Sequence, residues 1–345
     1  MEKKMMPLSA KNTYEALKQS GYTKSLIGKF LPDWWDDALL KTSAGSFQFA
    51  AILKQRIGLS VNFEANGELT VVPNNPLSRF KHRVDTTAQE LSISANLGRA
   101  IGQLALHASA YAYTPPPSDP QELRSQVLAI SGKQYVDFPS LLNFCWVSGI
   151  PVLFLDNIPK PFKRMAGMVS RIGDRPVIIL GYKNQHHARQ LFVLSHEIGH
   201  LQSGHIQNNE TLIDEDLVDI TDKIGSGSKD RQDKEEKEAD AFGLGIIRGK
   251  QSNFLSEFGR ISSPASLAAR SIQLSQSIGV DPGHMLLSFA YEHNEWATVN
   301  QAMNFLPNSN NALEVLQKEF TSNTNLLKLS EENREHLLTM QGIAT

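Results

Sequence analysis

His196 and His200 stand four residues apart in Ser195-His196-Glu197-Ile198-Gly199-His200. On an α-helix four residues advance about 400°, so the two imidazoles leave one face a turn apart. Two neutral imidazoles so placed can grip a Zn2+ ion, whose catalytic sites take three protein ligands and keep one position open. Glu197 lies about 100° around the helix, beside the metal, where a carboxylate acts as a general base rather than a ligand. The bland alternative is a surface helix carrying two incidental histidines. Leu191, Leu194, Ile198 and Leu201 argue against it. They form an apolar stripe that buries one side of the helix, and unpaired imidazoles beside a core are costly.

The third ligand must come from elsewhere. His205 follows His200 by five residues, whereas the metzincin pattern needs six, so it is expected to be a polar neighbour. Downstream, Glu235-Glu236-Lys237-Glu238-Ala239-Asp240-Ala241-Phe242-Gly243 supplies acids. The arrangement resembles that of thermolysin-like zinc peptidases. These take a ligand from a glutamate on a second helix and use an acid one turn later to orient a zinc histidine. Glu236 and Asp240 have that i, i+4 relation, with Glu238 and Glu235 as rivals for the ligand. Ala239, Ala241 and Gly243 are small enough to let this helix come close to the first.

With Phe192-Val193-Leu194 before the histidines and Glu236-Lys237-Glu238-Ala239-Asp240-Ala241-Phe242 after them, the chain resembles the ImmA/IrrE family of bacterial metallo-endopeptidases over roughly residues 120–250. The family pattern reads approximately F-x-x-x-H-E-x-G-H-x, then E-x-E-A-N-x-F-A; here Asp240 replaces the Asn and Gly243 the last Ala. The resemblance implies one Zn2+ per chain held by His196, His200 and Glu236, with Glu197 as general base and Asp240 orienting a histidine. It also implies a cytoplasmic enzyme whose protein substrate is a DNA-binding repressor or an antitoxin. The stretch from His200 to Glu236 is long for the family, so a loop at 207–234 is expected to shield or regulate the cleft. A strand at Met165–Ile172 is expected at the sheet edge, pairing with substrate backbone. Tyr182, His284, Tyr291 and His293 are candidate donors to the developing oxyanion. The competing class is a non-catalytic regulatory or interaction protein with a structural zinc site. The intact Glu197 discriminates against it, because a structural site has no use for that carboxylate.

The elements that must position these groups follow from periodicity. Helices are predicted at Tyr14–Gln19, from Lys24, at Ser46–Ile57, over Thr86–Tyr113, at Pro120–Ser131 and around Phe138–Val147. Asn12 or Thr13 is the predicted cap of the first. Short strands are predicted at Glu68–Val72, Pro151–Leu155, Met165–Ile172 and Pro176–Leu180, with a hairpin turn at Gly173-Asp174-Arg175. The active-site helix spans His186–Gly204, and the remainder from Lys234 is mostly helical. Pro115-Pro116-Pro117 marks a seam. The expected architecture is therefore α+β, mostly helical, with a small mixed sheet packed on the H-E-x-x-H helix. Residues 1–115 form an added helical domain, 116–250 the peptidase core and 251–345 a helical region packed on it.

Composition sets bounds on function. Lys+Arg 34 against Asp+Glu 36 leaves a net charge of −2, so no overall positive field exists to hold nucleic acid. Arg79-Phe80-Lys81-His82-Arg83 is a basic patch too small to change that, and no direct nucleic-acid binding is expected. Cys145, the single cysteine, sits among apolar neighbours, which excludes an internal disulfide and predicts a buried thiol. Apolar runs are too short to cross a membrane, and no signal peptide is evident. Trp34-Trp35 is expected to lock short helices together.

Overall fold

Side-chain caps set where the first helices begin. The computed structural model describes residues 9–64, 69–72, 78–81, 88–155, 165–181, 183–214, 231–251 and 253–343. Helix α1 (Ala10–Gln19) starts at Ser9, whose hydroxyl accepts from the Asn12 N–H, so the cap lies a turn before the predicted one. Thr23 caps α2 (Lys24–Gly28) and Thr42 caps α3 (Ser43–Ile57), each satisfying an N–H that the helix cannot. Gly58, at φ 70°, ends α3 in the left-handed region. Strands β1 (Val61–Phe63) and β2 (Leu69–Val71) then pair antiparallel.

The sheet that carries the site follows. Its parts are β3 (Ser78–Lys81), β4 (Val152–Phe154), β5 (Gly167–Ile172), β6 (Arg175–Leu180) and β7 (Thr211–Asp214), in the order β3-β7-β5-β6-β4. Outer pairs β3/β7 and β4/β6 are parallel, while β5 is antiparallel to both neighbours. Strand β5 is thus the middle of five strands, hydrogen-bonded on both sides, and not the edge strand expected for binding substrate backbone. The cause is β7, which the sequence hid inside a polar, acidic stretch: Leu212 and Ile213 pair across to Val169 and Met168. Strand β3 occupies part of what reads in sequence as a basic patch; His82 and Arg83 lie outside the described residues, as does 215–230 of the expected shielding loop.

Helices cover this sheet. They are α4 (Ala88–Ala108), α5 (Pro120–Ser131), α6 (Phe138–Val147), α7 (His187–Gln202) and α8 (Arg231–Arg248). Helix α4 stops five residues before Tyr113, because Ser109 and Ala110 leave it to pair with Thr324 and Asn323. Helix α7 packs on β5, β6, α6 and α8, and its residues from Gln190 to Leu201 are all buried. It is therefore a central helix rather than one with a single buried stripe.

The chain ends in α9 (Pro264–Ile278), α10 (Pro282–His293), α11 (Trp296–Met303), α12 (Ala312–Ser322) and α13 (Glu331–Met340). Helices α9 to α11 form their own apolar cluster around Met285, Leu286 and Val299. Helices α12 and α13 instead join a main cluster that also holds Leu17 and Phe49, the sheet, and α5 to α8. One core therefore runs across residue 115, and β3 and α4 from the N-terminal side are part of the site's own sheet layer. Trp35 rests on Phe49 with ring centroids 5.2 Å apart, and Trp34 Nε1 donates to Glu332 at 2.6 Å. The tryptophan pair thus locks the first helices together and ties them to α13. Cys145 is buried, and desolvation pushes its thiol pKa far up. Among the described residues no helix is long and apolar enough to cross a membrane. The architecture is mostly helical α+β, as the periodicity predicts.

Candidate metal centre

Helices α7 and α8 make the most extensive contact of any two described elements. Small residues make it close. A Cβ placed on Gly199 would lie 2.8 Å from the Ala239 Cα and 3.0 Å from its carbonyl carbon, nearer than real Cβ atoms come. A Cβ on Gly243 would lie 3.0 Å from Ser195 Oγ and 3.1 Å from the His196 nitrogen. Ala239 and Gly243 therefore do what their size implies, whereas Ala241 faces solvent. At the far end of α8, Arg124 of α5 donates to the carbonyls of Ile246 and Ile247 at 2.8 Å, satisfying acceptors that a helix C-terminus leaves open.

This close crossing brings three donor groups together. His196, His200 and Glu236 each offer one ligand atom, all within 4.8 Å of one another. Nε2 of His196 and Nε2 of His200 are 2.9 Å apart; Glu236 reaches them at 3.5 Å and 3.3 Å. Tetrahedral coordination at about 2.0–2.1 Å puts neighbouring ligand atoms about 3.3–3.4 Å apart, so the set fits a small divalent ion. Both histidines are essentially inaccessible, while the Glu236 side chain is 32% exposed. Of the rival acids, Glu235 is buried outside this group and Glu238 turns to His205.

Hydrogen bonds set the histidine tautomers. Asp240 Oδ1 lies 2.8 Å from His196 Nδ1, and a carboxylate only accepts, so Nδ1 carries the proton and Nε2 presents its lone pair to the group. His200 Nδ1 lies 2.9 Å from His205 Nδ1, and His205 Nε2 lies 3.0 Å from Glu238 Oε2. The His205 hydrogen bond, foremost, holds the Glu238 carboxyl below the usual range. His196 Nε2 and His200 Nε2 stand 2.9 Å apart, a spacing that a shared cation or a hydrogen bond between the rings would satisfy.

Glu197 is fully buried, and its carboxylate lies against β5 at Gly167. Its carboxylate fills the space beside Gly167, where a Cβ would sit 2.7 Å from Glu197 Cδ. Of the oxyanion candidates, Tyr182 lies outside the described residues. His284 accepts from Arg248 Nε at 2.7 Å inside the α8–α10 contact, and Tyr291 and His293 are exposed on α10. Sequence reasoning missed the contact of His205 with His200. Its signal was a glycine before it: Gly204, at φ 72°, turns the chain back on the end of α7. The chain matches no family model and no curated protein.

Proposed function

We propose that this chain is a zinc-dependent endopeptidase of the ImmA/IrrE kind, acting on a protein substrate such as a DNA-binding repressor or antitoxin in the cytoplasm. The observation that carries the proposal is the convergence of ring nitrogens of two buried histidines and one carboxylate, with a second, fully buried carboxylate, Glu197, next to His196 in the chain and outside that group. His196, His200 and Glu236 would hold the ion. When bound, zinc supplies Lewis acidity toward a peptide carbonyl and toward water. Glu197 accepts the proton of the attacking water on a carboxylate oxygen and returns it to the leaving nitrogen. Asp240 keeps the His196 proton on Nδ1. Burial of Glu197 removes competing water and strengthens its interaction with any cation at the trio.

The test is incubation of the zinc-loaded protein with the product of a neighbouring repressor gene. Glu197→Gln should keep its zinc and lose cleavage by about 10²–10⁴-fold, the usual worth of a general base. Undiminished cleavage by that variant would refute the role given to Glu197. Zinc retained by a variant that never cleaves, alongside a parent that never cleaves, would favour a structural zinc site in a regulatory protein.

A further inference from the structure

We propose that Glu238 and His205 form a positioning relay that fixes the tautomer of His200, and so make His200 a metal ligand only through a second imidazole. The inference rests on the metal-site reading above and extends it to residues outside the ligand set. Helix α8 supplies both parts of the support from different flanks. Glu236 and Asp240, one turn apart, share a flank; Glu238, about 200° from each, lies on the other. The His200 ring is consequently tied at Nε2 to Glu236, 3.3 Å away, and at Nδ1 to His205, 2.9 Å away.

The relay has one direction. A carboxylate accepts and does not donate, so Glu238 draws the His205 proton onto Nε2, across 3.0 Å. His205 Nδ1 is then an acceptor, and among the described residues the group facing it at hydrogen-bond distance is His200 Nδ1. His200 must donate there, which leaves its lone pair on Nε2, toward His196 and Glu236. The opposite polarity would put a His205 lone pair against Glu238 and a proton on His200 Nε2, where the ion belongs. His196 reaches the same state by the shorter route of a direct carboxylate, Asp240. The backbone fixes His205 in this position, because its N–H donates to the His200 carbonyl at 3.1 Å and its side chain is only 5% exposed. Outer partners of this type typically account for 10–100-fold in metal affinity.

The experiment labels the histidine rings with 15N and compares the parent with His205→Phe, His205→Gln and Glu238→Ala. The readouts are ring nitrogen shifts in zinc-free protein and zinc affinity by chelator competition. In the parent, His200 should show a protonated Nδ1 and an unprotonated Nε2. His205→Phe, which keeps the ring's shape but removes its acceptor, should mix the His200 tautomers, leave His196 unchanged and weaken zinc 10–100-fold. His205→Gln, with an oxygen to accept and an amide to donate, should recover most of the loss. Glu238→Ala, on an exposed flank, should mix the tautomers in the same sense and serves if His205→Phe does not fold. Unchanged His200 shifts and affinity in His205→Phe or Glu238→Ala would overturn the relay. A parent that binds no zinc would end the peptidase reading, while the zinc-free shifts would still decide the relay.

Discussion

Adding one methyl group at residue 199 should disturb the metal site without touching a ligand. In Gly199→Ala the new Cβ meets backbone atoms of Ala239, one at 2.8 Å and one at 3.0 Å, with the Ala239 carbonyl oxygen nearer still. Ordinary contact begins at 3.4 Å, so α7 and α8 must part by roughly 0.6 Å or more at this crossing. No side chain can swing away to relieve it. Metal sites tolerate displacements of about 0.2 Å in ligand distance, so a shift of that size in the helix bearing Glu236 exceeds the tolerance about threefold. Rotation of the Glu236 side chain recovers part of the loss. Zinc affinity should fall about 100-fold, or about 2.7 kcal/mol, with a further loss of about 1–3 kcal/mol in stability from overpacking. Gly243→Ala makes the internal comparison: its nearest contacts are at 3.0–3.1 Å, so a few tenths of an ångström suffice and the affinity should change less than tenfold. Chelator competition at fixed pH measures both, with circular dichroism confirming the fold. Parental affinity in Gly199→Ala, or a larger loss in Gly243→Ala, would refute the account of close helix approach.

Gly167→Ala should separate catalysis from metal binding: its Cβ displaces the Glu197 carboxylate from its seat on β5, so peptide cleavage should drop at least 100-fold while zinc content stays near one per chain. Glu236→Ala should lower zinc content after dialysis far more than Glu238→Ala; equal losses would show that α8 supplies its ligand differently. Asp281 gives a pH test of stability away from the site. Desolvation raises its pKa from 3.8 to about 7, so the unfolded chain releases this proton first and the folded state loses stability between about pH 4 and pH 7. At about 1.4 kcal/mol per pH unit the full penalty above pH 7 is about 4 kcal/mol. Asp281→Asn keeps an oxygen for the His284 N–H, which now donates at 2.8 Å, and should raise the urea midpoint at pH 8 well beyond any gain at pH 4. An equal gain at both pH values would contradict the burial argument.

What local spacing alone controls was legible in the chain. His196, Glu197 and His200 needed only the helical period, and Glu236 with Asp240 needed the same period on a second helix, once a resemblance had pointed to it. The limits of α5 and α6 were legible too, because Asp119, Asp137 and the prolines after them act within a turn. Tertiary packing decided the rest. It placed β5 in the middle of the sheet, since strand order depends on β7, a four-residue strand with only two strongly apolar residues, Leu212 and Ile213, inside a polar stretch. It chose Glu236 over Glu238, because which flank of α8 meets the histidines depends on how Gly199 lets two helices cross. It also turned His205 back onto His200 and set Glu197 against Gly167. Spacing along a helix reports which side chains share a face; it carries no information about what that face will touch, because that is fixed by atoms distant in the chain.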